Sequence, residues 1–471
     1  MKKQKQFRRY IPVKLKEALD QLSYERKDDL YTIIDLISRK EIYFKSDYQN
    51  RHGYTEISKA QFKEYIASSE HLSNGLQFLI DNKLLLQNPF YIIGVESKKY
   101  KIPREYLGKT VPITIRDKNI NKRISDKIKR NKKMKAKNLE FAKTEYYKTF
   151  KIDIEGARQA ILNKTVTEIK SLCYRLNLIY SDKDVLDIIE CKNDYIKTRF
   201  CIMLHKEGYE LDNIMHRYMI YNTRINAIND GFLFFKRNST NGRLDTNLTS
   251  LPSFLRPFLI ASEKLMNIDI KNSQPYFLYT LIMHKSEIDQ TELKRYAELV
   301  IGGSFYEYLA EQYKKQTGYT RERHQMKNML FKIFFSRVNS YKEQKQFFGG
   351  LFPTIMNHIN QTNEEKHNTL SIQLQTKESF TVLDIILPLL EKQGIRPYTI
   401  HDSFVCKESE AMTIKQVFID KVTELYGIAP ALHIDYLINE KPMEDDELIT
   451  DFDAFIDEMN KLDGGEDREA A

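Results

Sequence analysis

The sequence predicts an α+β fold in which short apolar strands carry acidic residues and alternate with helical stretches. One observation is the segment LMNIDIKNSQPYFLYTLI at 265–282, an apolar strand ending at Asp269 followed by an amphipathic helix. A second is the segment 398–406, where Asp402 lies between two apolar, β-prone runs. A buried strand-borne carboxylate is costly unless it is paired or holds a cation. Two such aspartates, far apart in sequence, predict one divalent-metal site closed by the fold.

The first 110 residues predict a separate module. Apolar periodicity and turn residues indicate helices followed by a strand pair, namely helices at 28–38, 59–68 and 69–82 and strands at 83–87, 91–94 and 98–102. This order is typical of winged-helix domains, whose second helix-turn-helix helix normally enters the DNA major groove while the hairpin touches phosphate. Winged helices also bind proteins, so the pattern predicts a DNA-binding or protein-interaction module.

Charge is distributed unevenly along this chain of net charge +9. A dense Lys/Arg run lies at 116–137, and the chain turns acidic after Glu444. Such asymmetry is typical of a nucleic-acid binder with a self-solvating tail. A solvated helical linker explains the basic run equally well.

Cysteine usage and hydropathy exclude several classes. The cysteines form no CxxC pair, which predicts reduced thiols and argues against a zinc site; they are residues 173, 191, 201 and 406. No apolar run reaches membrane-spanning length, and the basic start has no apolar core behind it. We therefore expect a soluble, cytoplasmic protein that makes no membrane contact.

Composition predicts five segments. They are a winged-helix-like domain at 1–110, a basic linker at 111–137, a helical region at 138–235, a segment with both aspartates at 236–440 and an acidic tail at 441–471. Within the helical region, Asp153 and Glu155 form an Asp-x-Glu pair of the kind that starts an exonuclease site. Too little chain follows before the next domain to supply the remaining carboxylates of such a site, so we interpret the pair as a helix start.

A helix predicted around 320–336 carries a striped face. Arg323, Lys327, Phe331 and Phe335 recur every four residues, so they share one face. On such a face the two cations can bind a triphosphate at one end of the helix, and the two aromatic rings can stack on a base at the other. The alternative is a core helix with a solvated basic end.

Two further stretches flank the aspartates. A turn-rich segment at 238–252 places Arg243 beside a glycine, shortly before the Asp269 strand. Residues 382–393 predict a helix ended by Gly394, after which a strand at 395–400 leads into His401 and Asp402.

These motifs, taken in order, resemble the palm and fingers of DNA polymerase I-type (family A) polymerases and the related single-subunit phage-type RNA polymerases. Asp269-Ile-Lys-Asn-Ser-Gln274 resembles the first palm motif, and His401-Asp402-Ser403 resembles the second. The stripe ending in Phe335-Ser336 is similar to the fingers helix. Matches to a primer-contacting segment and to a segment before the fingers helix complete the set, namely Asn241-Gly242-Arg243-Leu244 and 303–310.

The resemblance implies a right-hand polymerase with an antiparallel palm sheet, helical fingers and a thumb formed by 138–235. It implies that Asp269 and Asp402 hold two Mg²⁺ ions, with Mn²⁺ as a substitute. It further implies that Lys327 and Arg323 contact nucleotide phosphates, with Lys327 able to protonate the leaving group. The remaining implied contacts are Phe331 and Gln274 with the nucleotide, Phe335 near the templating base, and Arg243, His401 and Ser336 with primer or template.

Departures from the family pattern bear on the product. Gln274 stands where the DNA enzymes have glutamate, and its bulk favours a pocket closed to ribose 2′-hydroxyls. Phe335 lacks the tyrosine hydroxyl, which favours dNTPs in the same way. Ser403, however, follows the RNA enzymes, and Ser336 replaces the usual glycine. DNA synthesis is favoured over RNA synthesis.

The sequence thus predicts an exonuclease-less, template-directed nucleotidyltransferase that extends a DNA primer with dNTPs, in replication of a plasmid, phage or mobile element. One alternative is an RNA polymerase or primase that starts chains without a primer. Another is a replication-initiation DNA-binding protein with an inactive palm, although both aspartates and the fingers lysine are retained. A template-independent transferase is the third. Protein partners are not indicated.

Overall fold

The structure is a computed structural model that describes residues 6–39, 54–88, 97–133, 137–190 and 209–437. The predicted strand at 91–94 and the predicted acidic tail at 441–471 lie outside the described residues. The chain divides into two compact units, the first from residues 1–133 and 151–233 and the second from 134–150 and 234–471.

The helices are, in chain order, α1 (Val13–Asp20), α2 (Lys27–Ser38), α3 (Lys59–Lys63), α4 (Ser69–Asp81), α5 (Lys118–Lys133), α6 (Glu140–Thr149), α7 (Ile154–Arg175), α8 (Asp182–Glu190), α9 (Tyr209–Asn229), α10 (Ser273–Ile282), α11 (Gln290–Ile301), α12 (Phe305–Thr317), α13 (Arg323–Phe335), α14 (Lys342–Leu351), α15 (Pro353–Thr362), α16 (Thr369–Ser379), α17 (Leu387–Glu391) and α18 (Ala411–Tyr426). The strands are β1 (Arg8–Pro12), β2 (Thr55–Glu56), β3 (Leu86–Gln87), β4 (Lys99–Lys101), β5 (Thr110–Thr114), β6 (Phe235–Arg237), β7 (Leu244–Thr246), β8 (Leu265–Ile270), β9 (Tyr398–Ile400), β10 (Ser403–Lys407) and β11 (Leu432–Tyr436).

The N-terminal part of the first unit contains two small antiparallel sheets, β1–β5 and β2–β4–β3. The elements follow in the order α2, β2, α3, α4, β3, β4, and the three helices are the predicted ones. Helix α3 is shorter than predicted, because the Ser68 side chain accepts a hydrogen bond from the His71 N–H and so caps the start of α4. A buried ion pair between Arg9 and Asp35, 2.9 Å long, ties β1 to α2. The winged-helix assignment and its DNA contact stay predictions.

Residues 111–133 of the predicted basic linker belong to the packed body of the first unit. Strand β5 pairs with β1, and α5 buries Ile120 and Ile124. The buried Asn121 side chain accepts a hydrogen bond from the Phe7 N–H and donates to the Ile115 carbonyl. Ile120 and Ile124 lie four residues apart within the charge run, so they give the helix an apolar face to bury. The assignment of 111–137 as a separate segment stays a prediction.

The helical region predicted at 138–235 is also divided differently. Helix α6 belongs to the second unit, whereas α7, α8 and α9 belong to the first. Asp212 of α9 is 3% exposed and forms ion pairs with Lys101 and Arg104, which connects α9 to the N-terminal elements. At the start of α7, Asp153 accepts a hydrogen bond from the Gly156 N–H, so the predicted helix start is confirmed.

The second unit is built on an antiparallel four-stranded sheet in the order β11–β8–β10–β9. Strands β9 and β10 form a hairpin, and β8 lies between β10 and β11. Helix α18 packs on this sheet, with the rings of Phe404 and Phe418 6.1 Å apart. The remaining helices of the unit surround a largely aromatic core, which includes the fully buried Tyr296, Phe305 and Phe352.

The helix predicted at 382–393 begins earlier than expected. Helix α16 leads directly into a π-helical segment, Phe380–Ile386, and then into α17. Gly394 follows with φ +75°, the left-handed conformation predicted for a residue that ends a helix. The prediction missed α16 because its mixed polar sequence lacks a clear apolar stripe.

Two properties of the described residues bear on the remaining expectations. None of their helices is long and apolar enough to span a lipid bilayer. Cys173 and Cys406 are buried free thiols; residues 191 and 201 lie outside the described ranges.

Candidate active site

The register of β8 against β10 brings the two predicted aspartates to one end of the sheet. Ser403 lies opposite Asp269 in the antiparallel ladder, and Asp402 immediately precedes Ser403 in the β9–β10 turn. The Ser403 hydroxyl donates a 2.6 Å hydrogen bond to Asp269 Oδ1. The preceding turn residue, His401, has φ +53°, a conformation that non-glycine residues adopt rarely. The fold therefore closes the pair that the sequence predicts.

Burial and neighbouring charges shift the pKa of the Asp269 carboxyl. Loss of solvent raises the pKa of the Asp269 carboxyl, and the negative charge of Asp402 raises it further. The Ser403 hydrogen bond and the positive charges of Lys327 and Arg256 oppose this rise in pKa. Lys327 and Arg256 therefore lie within electrostatic range of the aspartate pair. The charge of Asp402 disfavours ionisation of Asp269, and two carboxylates placed in this way could hold a cation.

The donor set suits magnesium rather than a closed structural site. Among the described residues, no group of three or more His, Cys, Asp or Glu side chains is placed to hold a metal ion. Magnesium usually keeps several waters and binds one or two carboxylates together with substrate phosphate oxygens. Asp269 and Asp402 fit that pattern, whereas structural zinc takes four protein ligands.

The basic end of the striped helix α13 lies beside the same cluster. Arg323 is exposed, donates a 2.9 Å hydrogen bond to Glu307 and places its guanidinium 5.0 Å from the centre of the Tyr306 ring. Burial raises the pKa of the Tyr306 hydroxyl, Arg323 opposes the rise, and Asp402 adds to it. Tyr306 thus lies within electrostatic range of both Arg323 and Asp402. Lys327, one turn along the stripe, is half-buried.

The aromatic end of the stripe is packed in the core. The rings of Phe331 and Phe335 are 5.6 Å apart, and Phe335 exposes none of its surface. Ser336 is also fully buried. The stacking of Phe335 on a templating base and the template contact of Ser336 stay predictions. Phe331 is 5% exposed, and its contact with a nucleotide stays a prediction.

A buried polar network centred on Glu378 lies next to the aspartates. Glu378 is fully buried and accepts hydrogen bonds from Arg243 Nε at 3.0 Å and Nη2 at 3.1 Å. Gln274 Nε2 donates to Glu378 at 2.7 Å, and Ser273 Oγ donates at 3.4 Å. Burial raises the pKa of Glu378, Arg243 opposes the rise, and Asp402 adds to it. The network connects the segment after β8 with α16.

This network includes Arg243, which the sequence predicts to contact a primer. The side chain is 4% exposed and donates from Nε to Glu378, and its predicted contact with a primer end stays a prediction. Through Glu378, Arg243 is connected to the Gln274 amide. The nucleotide contact predicted for Gln274 stays a prediction.

The loop that carries Arg243 is shaped to approach α16 closely. Gly242 has φ +71°, and a Cβ at this position would lie 2.7 Å from the Ser379 hydroxyl oxygen. That hydroxyl donates to the Asn241 carbonyl at 2.9 Å, and Asn241 Nδ2 donates to Gln375 at 2.7 Å. A side chain at Gly242 would therefore separate the loop from the helix.

The predicted primer-positioning residue His401 is half-buried beside two cations. Burial lowers its pKa well below the usual value, and the positive charges of Arg243 and Arg256 lower it further. The imidazole is therefore neutral at neutral pH, and its Nδ1 is buried without a hydrogen-bond partner among the described residues. A contact between His401 and a primer stays a prediction.

Three residues of this site were not singled out from the sequence as site residues. Glu378 carried no usable signal, because neither α16 nor the burial of this residue follows from the mixed polar sequence around it. Arg256 stands alone in an apolar stretch between Leu251 and Leu259, which is a weak signal. Tyr306 lies in a segment that matched the family pattern, but nothing local indicates its nearness to Asp402.

No known family model matches the chain, and no curated protein sequence does so either. Among solved structures, the chain is similar to the POL domain of Pol1 from M. smegmatis, solved in complex with DNA primer-template and dNTP. The match has a TM-score of 0.45 and 12% sequence identity, and it covers 67% of this chain and 73% of that chain. A likeness at this level assigns neither family nor function.

Proposed function

We propose that this protein is a template-directed nucleotidyltransferase, and more specifically a DNA polymerase that adds dNTPs to a primer 3′-end. The observation that carries the proposal is the pairing of β8 with β10, which sets Asp269 and Asp402 together within range of Lys327. Two carboxylates opposite a cationic helix end suit phosphoryl transfer, where positioning and charge stabilisation account for most of the rate.

In this proposal each side chain has a definite task. Asp269 and Asp402 hold Mg²⁺, which when bound lowers the pKa of the primer hydroxyl and neutralises charge on pyrophosphate. Lys327 binds the phosphate nearest the aspartates. Arg323, exposed at the start of α13, binds the outer phosphate after exchanging its contact with Glu307.

The Glu378 network supports the sugar side of the pocket. Because Gln274 Nε2 donates to Glu378, the amide is held in one orientation and retains its bulk at the position predicted to face the sugar. A fixed side chain of this size disfavours a 2′-hydroxyl, which supports dNTPs as substrates. Glu378 and Arg243 act here as positioning residues.

The test is extension of a labelled primer on a DNA template with Mg²⁺ and separate dNTP and rNTP pools. The wild-type protein is expected to extend the primer with dNTPs. Asp269→Ala and Asp402→Ala should each reduce the rate by about a hundred- to a thousandfold or more, the loss seen when transition-state charge stabilisation is removed. Asp420→Ala is the matched control, because Asp420 is an exposed carboxylate on α18 that accepts a hydrogen bond from Gln416.

Each alternative has its own outcome in this assay. Extension with rNTPs alone, or synthesis without a primer, identifies an RNA polymerase or primase. Primer extension that does not depend on template sequence identifies a template-independent transferase. Primer extension by both aspartate variants at the wild-type rate refutes the catalytic assignment. If the wild type binds DNA but synthesises nothing under any condition, and the aspartate variants bind DNA equally well, the protein is an inactive DNA-binding protein.

A further inference from the structure

The first unit presents a row of lysines along the solvent face of α5. Lys118, Lys122, Lys129 and Lys133 are spaced at i, i+4, i+11 and i+15, so they fall within about 60° of arc on a helix with 3.6 residues per turn. All four are exposed. The buried Ile120 and Ile124 lie on the opposite side of the same helix. We call these four lysines the lysine row.

Helix α5 is held rigidly against its own unit, so the lysine row is a preformed surface. Arg123 Nη1 donates to the Lys63 carbonyl at 2.8 Å. Lys127 forms an ion pair with Glu64 and donates to the Tyr65 hydroxyl. These two basic residues are used to dock the helix, whereas the lysine row points away from that contact.

The helix expected to read DNA carries no lysine or arginine. Helix α4 is the second helix of the predicted helix-turn-helix, yet its sequence SEHLSNGLQFLID contains no Lys or Arg. Its exposed charged residues are Glu70 and Asp81, both acidic. A phosphate backbone would gain nothing from this face, because cations provide most of the binding free energy to polynucleotides.

We propose that the lysine row of α5, and not α4, is a sequence-independent surface that binds the phosphate backbone of a polynucleotide. The row is about 22 Å long at 1.5 Å rise per residue, a length over which one DNA strand carries about six phosphates. Within α5 only Asp126 opposes this charge, and it is 3.8 Å from Lys129. A flexible lysine is a point charge without base-reading geometry, so contact with phosphate positions the protein but does not select sequence.

The chemistry of α5 favours a polynucleotide over an anionic membrane. A helix that lies on a membrane inserts its apolar face between the lipids. In α5 that face is already buried, since Ile120 and Ile124 are each 2% exposed. A partner of α5 therefore meets the positive charge of the lysine row without an apolar face that could enter a lipid bilayer.

The test measures binding of the full chain to labelled polynucleotides without nucleotides or Mg²⁺, across a range of salt concentrations. One variant replaces the four lysines of the row with alanine, which preserves the helix. The matched control replaces four exposed lysines of the second unit with alanine, so that both variants lose the same charge; these are Lys294, Lys314, Lys315 and Lys392. A third variant replaces the row with arginine.

The row variant should bind duplex DNA at least tenfold more weakly, and the slope of log K against log salt should fall in magnitude by about 3 to 4. On single strands the fall in slope is about 3. The arginine variant and the control should bind like the wild type. Parallel titrations with single-stranded DNA, duplex DNA and duplex RNA identify which backbone is preferred.

Three results would overturn the proposal. The first is an equal loss of polynucleotide affinity in the control variant, which would show that net charge alone explains the effect. The second is loss of binding on replacing Ser73, Asn74 and Gln77 of α4 while the row variant stays unaffected. The third is binding of phosphatidylserine vesicles, lost in the row variant, without polynucleotide binding. Because the assay contains no nucleotide, its outcome is independent of whether primer extension succeeds.

Discussion

The buried pair of Glu378 and Arg243 allows the sharpest prediction about stability. Glu378→Ala removes the acceptor for two guanidinium hydrogen bonds and for those of Gln274 and Ser273. Glu378 is 0% exposed and Arg243 is 4% exposed, so water does not readily replace the lost contacts. Breaking a buried ion pair by removing one partner costs about 3–5 kcal/mol, a large part of a typical unfolding free energy of about 5–15 kcal/mol.

The chain contains no tryptophan, which simplifies the measurement. A Tyr308→Trp background places a single reporter on a half-buried position of the second unit. With an m-value of about 3 kcal/mol/M in urea, the expected loss lowers the unfolding midpoint by about 1 to 2 M. Primer extension by Glu378→Ala should fall as well, because Gln274 loses its anchor.

The matched control is an exposed pair of similar geometry in the same unit. Glu391 accepts two hydrogen bonds from Arg396, at 2.6 and 2.8 Å, and Glu391→Ala should leave the midpoint almost unchanged because exposed pairs are well solvated. The double variant Glu378→Leu with Arg243→Met removes both buried charges and should be more stable than either single variant. A shift for Glu378→Ala no larger than that for Glu391→Ala, or strict additivity in the double variant, would refute the reasoning.

Two further predictions follow from the same unit. Gly242→Ala should lower the free energy of unfolding by about 1–2 kcal/mol for the left-handed backbone alone, and the 2.7 Å approach of the new Cβ to Ser379 Oγ should lower it further. Urea unfolding of this variant and of Gly242→Ala combined with Ser379→Ala separates the two effects. An unchanged unfolding midpoint would contradict both. Burial raises the pKa of the Cys406 thiol to about 12, so its thiolate fraction at pH 8 should be roughly a thousandfold below that of an ordinary cysteine. Alkylation of Cys406, measured on its peptide by mass spectrometry, should therefore be slow in the native protein and fast in urea. Equal alkylation rates would contradict the burial of the thiol.

Local features of the site were predictable because they depend on neighbours in the sequence. The strand that carries Asp269, the turn that carries Asp402 and the spacing of Arg323 and Lys327 follow from apolar alternation and helical period. The helix start at Asp153 and the left-handed Gly394 follow from cap chemistry. Each of these patterns involves only a few adjacent residues.

Burial was less predictable, because it depends on what packs against a side chain. Phe335 matches a stacking position by spacing, yet it is enclosed by the core and exposes nothing. Arg243 matches a primer-contact position, yet Glu378 engages its guanidinium. Spacing along a helix defines a face, but it does not say whether that face meets solvent or a neighbouring helix.

By itself, the amino-acid sequence determined the strand that carries Asp269, the strand that leads into Asp402 and which residue types are available for a cation and a triphosphate. Only the tertiary structure decided that Ser403 lies opposite Asp269, that Glu378 joins the site and that the basic run of α5 belongs to a packed unit. The physical reason is that helical and strand periods arise from local sterics and hydrogen bonding, whereas strand register and burial depend on contacts between residues far apart in the chain.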